Sequence, residues 1–546
     1  MITVLVLGIV ALLLFVMLET QFEDPQSATG YSLRRVIRLY TSSFVYSVLG
    51  NTFGFVAVST GVAFFFALPI ALLVQRTTLP GRTLVFPLLL AAVLVPGYIN
   101  AQAWLLMFHP RIGTMNRWLV DTFESIETAP FNVINIPSMG LINGLDLAAL
   151  AFIMLAGAFR PMDPALEESA QVHGLRLSAR LRFVTLPAAW PGILSALIFV
   201  TMLGIASSDV ARVIGLSRRI WVFSTAVSGD GVGGTGASSL LWIAVAVAAS
   251  WWYLRVIRHQ HRFAVVTGRN YRVHLISLSR KQIAFAWGFI GVLILFSLVL
   301  PLLILLWASL LPYFDMISVE AMGRVTLDNY RAISLDGRFW AAAKNTMLLL
   351  AIVPGAAVLS AFVISWVVVR GHTRFTWIVD SLAFLPHGVP SVLFAVAAIH
   401  IGLFWMPASF PFYRTMYVLV LVFFIVRISF PTRVLTNALV QVHRELDEAG
   451  YVAGLGPLKV LRKILFPLVW GPVMYSWLWV ALLTYRERTI AGALQGRGTR
   501  TLAQHVNLSG GGLTEGAAMA VFLFVIVTTL VTLYFIWGRR RGAFSM

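Results

Sequence analysis

The chain has 546 residues, 59% of them hydrophobic and 12% charged, with a mean hydropathy of +0.85. Soluble domains carry about 25% charged residues, so a soluble enzyme and a disordered chain are excluded. The absence of cysteine excludes disulfides, thiolate nucleophiles and Cys-ligated metal centres. The net charge of +19 would suggest nucleic acid in a soluble protein, but in a membrane protein its meaning depends on where it sits.

Apolar runs of about 20 residues predict an all-α polytopic membrane protein. Twelve spans are read in chain order: 2–18, 52–74, 83–108, 141–159, 188–207, 239–256, 283–308, 345–369, 377–404, 415–430, 470–484 and 517–537. The tenth has room to run on past Pro431 towards residue 440. The run at 2–18 lacks a basic leading region and an A-x-A cleavage site, so it reads as an anchor and not as a signal peptide. With the N-terminus inside, the loops 75–82, 160–187, 254–282, 370–376, 431–467 and 538–546 hold 23 of the 41 Lys+Arg but 6 of the 22 Asp+Glu. This positive-inside bias predicts that both termini are cytoplasmic. It assigns the basic charge to topology and anionic lipid headgroups and not to nucleic acid.

The chain repeats itself. Asn51-Thr52 recurs as Asn345-Thr346, 294 residues later, and at the same offset Arg76 meets Arg370 and Pro96 meets Pro390. Six spans fall in each half, which makes the repeats parallel. The organisation reads as a first domain at 1–256, a basic linker at 257–282 and a second domain at 283–546.

A second match lies in the loops 160–187 and 445–467. Glu168 is followed by Gly174, Val184 and Pro187; Glu448 is followed by Gly454, Ile464 and Pro467 at the same spacings. Arg182 matches Arg462, and Ala170 and Ala449 are small residues beside the glutamates. Acids such as Glu167, Glu168 and Glu448 suit a helix N-terminus. Gly174 and Gly454 can take positive φ and stop that helix in a sharp turn. Pro187 and Pro467 can restart a helix at its first position. The product is a helix–turn–helix knob in the cytoplasm; an amphipathic loop lying on headgroups is the alternative for a single copy.

The stretches EESAQVHGLRLSARLRFVTLP (167–187) and ELDEAGYVAGLGPLKVLRKILFP (445–467) resemble the EAA motif of type I, binding-protein-dependent ABC importer permeases. Nearly the whole chain takes part, since each half is similar to a six-helix permease domain. The fused form looks most like ferric-iron permeases and is also similar to thiamine and phosphonate permeases. Gly450 stands where the motif has its second Ala, and Ser169 where it has its first.

The resemblance implies one chain per transporter, a pseudo-dimer in the bacterial inner membrane. Its coupling loops would seat Glu167, Glu168, Ala170, Gly174 and Arg182, and Glu448, Ala449, Gly454 and Arg462, on two copies of a cytoplasmic ATPase. A periplasmic or extracellular solute-binding protein would deliver the solute: ferric iron first, then thiamine, phosphonate or polyamine. ATP and Mg would be bound by the ATPase. This chain has no G-x-x-x-x-G-K-[ST] loop, so the ATPase would be a separate subunit, and the resemblance implies a transport subunit, not an enzyme, with no cofactor of its own.

Polar residues inside spans are the candidates for the pathway. Asp146 and Arg427 fall at matching places when the halves are aligned on their motif glutamates. They read either as quasi-symmetric cavity groups or as helix-to-helix ion pairs. Asn100 and Gln102 follow Pro96-Gly97, and His387 precedes Pro390, where a broken helix would expose backbone to a cavity and a packing kink would not. Arg486-Glu487-Arg488 reads as a loop end or as a contact for the binding protein or solute. No carboxylate cluster accompanies His387 and His400, so no metal site is read. The Gly-rich DGVGGTG at 230–236 follows no strand and is not read as a nucleotide loop. A major-facilitator-type secondary transporter shares the twelve-span plan, but the loop QRTTLPGR (75–82) lacks that family's acid and the duplicated glutamate loops would have no role. A membrane-embedded enzyme finds no HExxH or G-x-S-x-G motif.

Overall fold

In the computed structural model the described residues are 2–22, 32–123, 125–159, 164–207, 209–215, a few positions between 241 and 255, 275–371, 375–407, 410, 412–440, 442–506 and 512–540. Among them the structure is almost wholly helical; the only β-type pairing there is an isolated bridge between Thr77 and Ile276. Among the described residues seven helices are long and apolar enough to cross a membrane, or up to eleven when each of four bent pairs counts as one span. The span read at 239–256 falls largely outside the described residues. The protein is an all-α polytopic membrane protein, as its backbone requires: in hydrocarbon a helix satisfies every N–H and C=O within its own segment.

The chain forms two compact units, Met1–Val45 with Val227–Ser250 and Thr326–Met546, and Tyr46–Ala226 with Trp251–Val325. They are not contiguous stretches of sequence. Helix α1 (Ile2–Phe22) belongs with the later helices of the chain. The pair formed by 280–294 and 300–309 belongs with the earlier ones.

In the unit built mainly from 46–226, α2 (Ser43–Arg76) is followed by α3 (Val85–Leu94), α4 (Gly97–Phe108) and α5 (Ile136–Phe159). Buried Phe55, Ser59, Ala63, Phe66 and Ile70 recur along one face of α2. Gly140 and Gly144 of α5 let the two backbones approach: a Cβ on Gly140 would stand 2.7 Å from Val58 Cβ, and one on Gly144 2.7 Å from the Ser59 carbonyl oxygen. Small residues four apart supply the contact that hydrophobicity cannot supply between helices in lipid. Asn143 Nδ2 donates to Ser59 Oγ (3.2 Å), and Ser207 Oγ donates to Asn143 Oδ1 (2.8 Å). α3 and α4 meet at 82°, broken at Val95-Pro96, because Pro96 has no N–H to continue the ladder.

This unit continues through α6 (Pro164–Val172), α7 (Leu177–Arg180), α8 (Leu186–Ala206) and α9 (Asp209–Ile214). It closes with α10 (Arg280–Ile294) and α11 (Leu300–Ser309), which pack on α3 and α4. Phe289 stacks near Phe65 and Phe66 at 5.6 and 5.2 Å, and Phe296 near Trp104 at 6.0 Å.

The other unit is built around α12 (Gly337–Arg370). Like α2 it has 34 residues, and it begins 294 positions later. It continues with α13 (Thr376–Gly388), α14 (Ser391–His400), α15 (Met416–Arg427), α16 (Ser429–Val440), α17 (Glu445–Val452), α18 (Pro457–Val460), α19 (Trp470–Arg486) and α20 (Leu513–Arg540). α1 lies against α12, α13 and α14 and buries Val6, Val10, Leu13 and Met17 there. α13 and α14 meet at 101° at Val389-Pro390, the repeat of the Pro96 break. α15 and α16 meet at 41° at Ile428, and together they are long and apolar enough to count as one span reaching residue 440.

Among the described residues four π-helical turns, Leu181–Thr185, Leu295–Val299, Ile401–Trp405 and Leu461–Leu465, are followed two residues later by Pro187, Pro301, Pro407 and Pro467 respectively. A proline ring clashes with the carbonyl four residues back. That carbonyl falls inside the wider π turn in all four cases. Pro187 therefore does not restart a helix: the helical backbone runs into it from Leu177 through the π turn.

Candidate functional site

The two glutamate loops fold into knobs with the same turn closure. In the first, α6 ends when Gly174 takes φ +77°; Gly174 N–H donates to the Gln171 carbonyl (3.0 Å) and Leu175 N–H to the Ala170 carbonyl (3.1 Å). In the second, α17 ends at Gly454 with φ +78°; Gly454 N–H donates to Tyr451 and Leu455 N–H to Gly450, both at 3.0 Å. Each is a Schellman closure, in which two otherwise orphaned carbonyls are satisfied by backbone reversed at a left-handed residue. After the reversal a short helix and a π turn lead into the next long helix, at 177–185 and at 457–465.

The knobs expose the residues that the sequence singled out. Glu168, Gly174 and Arg182 are exposed on the first, and Glu448, Ala449, Gly454 and Arg462 on the second; Ala170 is half-buried. The Glu167 side chain lies outside the described residues. Gly450 is buried, and a Cβ there would stand 2.7 Å from Ile464 Cδ1 and 2.9 Å from Val460 Cγ2. Glycine at position 450 thus lets α17 fold down onto the return helix. In the first knob the return is tied by Arg180 Nη1, which donates to Gln171 Oε1 at 2.6 Å.

Two features of the knobs were not legible in the loop motif. Val172 and Val452, the last residues of α6 and α17, are 85% and 89% exposed at equivalent places. Asp447, next to Glu448, is buried and pairs with Arg370 at the end of α12 (2.5 Å). The repeat of Arg370 with Arg76 was the available signal. Arg76 is likewise buried, and its Nη2 donates to the Phe159 carbonyl (2.9 Å) at the end of α5.

The intramembrane candidates sit in different surroundings. Arg427 Nη2 donates to Glu487 Oε2 (2.6 Å) and to the Leu483 carbonyl (2.9 Å), so Glu487 of the Arg486-Glu487-Arg488 stretch is its ion-pair partner. Asp146 is half-buried beside the α3–α4 break. A Cβ on Gly97 would stand 3.4 Å from Asp146 Oδ2 and 3.2 Å from Asp209 Oδ2. The N-terminus of α4 there favours nearby carboxylates. Asn100 is buried on the first turn of α4 with its Oδ1 unpartnered among the described residues, and Gln102 is half-buried. His387 is half-buried with its ring 5.6 Å from Phe384. A further buried pair, Arg433 with Asp380 (2.8 Å), was not read from the sequence because its partners are 53 residues apart. Among the described residues no three His, Asp or Glu side chains converge as a metal site.

No family model matches the chain. An Fe(3+)-transport system permease protein of Haemophilus influenzae is 21% identical over 235 residues, 43% of this chain and 42% of that protein, so the match spans less than half of the relative's length. A putative ferric transport system permease protein of the same organism is 24% identical over 462 residues, 80% of this chain and 68% of that one. An alpha-glucoside transport system permease protein of Rhizobium meliloti is 25% identical over 248 residues, 40% of this chain and 71% of that one. The chain is thus similar to transport-system permeases, as the resemblance read from its loops implies.

Proposed function

We propose that the chain is the membrane permease of a binding-protein-dependent ABC importer, and that its two knobs are coupling elements docked on two copies of a cytoplasmic ATPase. The observation that carries this reading is the duplicated knob, with one closure geometry and one exposed valine at the same position in each copy. A single exposed apolar side chain carries no such meaning alone; its recurrence at the same place on both knobs is what suits a partner's surface. Glu168 and Glu448 beside it supply charge for the partner's basic groups.

ATP binding would draw the two ATPase copies together and carry the knobs with them, turning the pathway from inward- to outward-facing. Hydrolysis would reset it. The orientation with both termini in the cytoplasm belongs to the same proposal and places both knobs on the ATPase side. Ferric iron is the proposed solute, supported by the printed names of the relatives, including the one that covers 80% of this chain. A separate binding protein would hold the iron first and release it into the pathway.

The test is uptake of radiolabelled ferric iron by cells with and without this gene, with ATP depletion as the control. Loss of an ATP-dependent iron signal on deletion supports both class and solute. An unchanged signal overturns iron. In a parallel arm, Glu168→Lys with Glu448→Lys removes ATP-driven uptake while the chain stays in the membrane; full uptake by that variant overturns the docking role.

A further inference from the structure

The end of α12 is bolted to the second knob in both directions. Arg370 Nε donates to Asp447 Oδ2 at 2.5 Å, and its Nη2 donates to the Val442 carbonyl at 2.7 Å. Arg444, the residue before α17, returns a bond from its Nη2 to the Val369 carbonyl at 3.2 Å. The Arg370 and Asp447 side chains are 12% and 8% exposed. A buried ion pair is weak evidence of stability, because desolvation offsets much of the attraction. It does fix geometry, and arginine's planar fork fixes two partners at once.

The other end of α12 is held as firmly. Asn345 Nδ2 donates to the Gly498 and Arg500 carbonyls at 2.7 and 2.9 Å. Thr346 Oγ1 accepts from Leu502 N–H at 2.9 Å. Asp336, the N-cap of α12, meets His505 Nε2 at 2.9 Å. From the residue after the Asp336 cap to Arg370 the helix runs for 34 residues, with Pro354 inside it. At 1.5 Å per residue that is a rod of about 51 Å. The residues that make the attachments, Asn345, Thr346 and Arg370, are the ones repeated as Asn51, Thr52 and Arg76 on the equally long α2.

We infer that the Arg370–Asp447 pair is the joint through which the second knob moves as one body with α12, carrying its displacement to the segment 498–505 at the far end of the same helix. Arg370 and Asp447 are then positioning residues for coupling, distinct from the exposed groups that meet the ATPase. The inference rests on the reading of the knob as the ATPase-docking element.

The chain has no cysteine, so spin labels can be placed singly. Labels at Val452→Cys and Leu335→Cys, positions 89% and 85% exposed, report the distance from the knob to the residue before the Asp336 cap in the purified full chain by pulsed electron resonance. One narrow distance is expected in the parent, a broad distribution in Asp447→Asn, and a narrow one again in Arg370→Asp with Asp447→Arg. Equal widths in parent and Asp447→Asn overturn the joint. Membranes from cells expressing the unlabelled variants supply a readout that a merely structural role would not move. Asp447→Asn is expected to keep its co-purifying ATPase and its ATP hydrolysis but to lose at least tenfold in ferric-iron uptake per ATP, with the charge swap restoring it. Unchanged uptake per ATP in Asp447→Asn overturns the coupling role. Absence of a co-purifying ATPase from the parent itself removes the importer reading instead, while the spin-label widths still decide the joint.

Discussion

Val172 and Val452 stand at the same place on two knobs 280 residues apart, each the last residue of its helix and each almost bare to solvent. Neither contributes to a core and a cation suits a helix C-terminus, so replacement with lysine at both is expected to change stability by no more than about 0.5 kcal/mol each. ATPase docking is expected to fall sharply, because a charge in an apolar groove is not desolvated cheaply. Thermal unfolding in detergent and ATPase retention on the tagged chain check the two halves of this prediction. Lost stability with retained ATPase would contradict it.

Gly174 and Gly454 need their left-handed backbone and nothing else. A Cβ at either would meet no atom within 4 Å. Alanine at each position therefore costs only the conformational penalty, about 1–2 kcal/mol, while bulk is tolerated. Gly174→Asn and Gly454→Asn are expected to recover part of the loss, since asparagine visits this region more readily. Equal melting temperatures for the alanine and asparagine variants would show that the turn is not the limiting feature.

Arg427 and Glu487 form a pair in which each side chain is 13% exposed. Glu487→Gln leaves a guanidinium buried without its counter-charge, and a loss of about 3–5 kcal/mol is expected. Adding Arg427→Met to Glu487→Gln removes the stranded charge and is expected to recover most of it, since the glutamine Oε1 can still accept from the Thr489 and Ile490 N–H groups. Thermal unfolding of the parent and the two variants in detergent measures the loss and the recovery. Unchanged stability of Glu487→Gln would show that the pair does not hold α15 to the end of α19.

Asp336 at the start of α12 supplies an acid dependence. Burial pushes its carboxyl up, but the N–H groups of Arg338 and Phe339 together with His505 outweigh this and hold it below the ordinary carboxylate value. A carboxyl depressed in the folded state stabilises the fold at pH values above its unfolded pKa, about 3.9. That contribution is lost as pH falls through the folded value. Asp336→Asn is expected to lower the melting temperature near neutral pH and to flatten its decline below about pH 4. A decline as steep as the parent's would remove Asp336 from the acid response.

The spans were legible because lipid forces the backbone into helices and their apolar length is written in the chain. The knobs were legible for a local reason: Gly174 and Gly454 sit where only a residue tolerant of positive φ can close the turn. The breaks at Pro96 and Pro390 were legible for the same kind of reason, a missing N–H. The π turns were not, although the prolines that accompany them were in view. They depend on how the preceding turn widens to spare a carbonyl, which composition does not encode. Glu487 as the partner of Arg427, and Asp447 as the partner of Arg370, were hidden by 60 and 77 residues of intervening chain. The exchange of first helices between the two compact units was equally hidden. α1 is apolar on every side and carries no stripe that names its neighbour.

The most direct test of the central claim is quantitative co-purification of an ATPase with the affinity-tagged chain, compared with Glu168→Lys, Glu448→Lys and the double variant at equal membrane levels. The account predicts two ATPase copies per parent chain, partial loss in each single variant and near-complete loss in the double. A double variant that retains the ATPase at the parent's stoichiometry would contradict it.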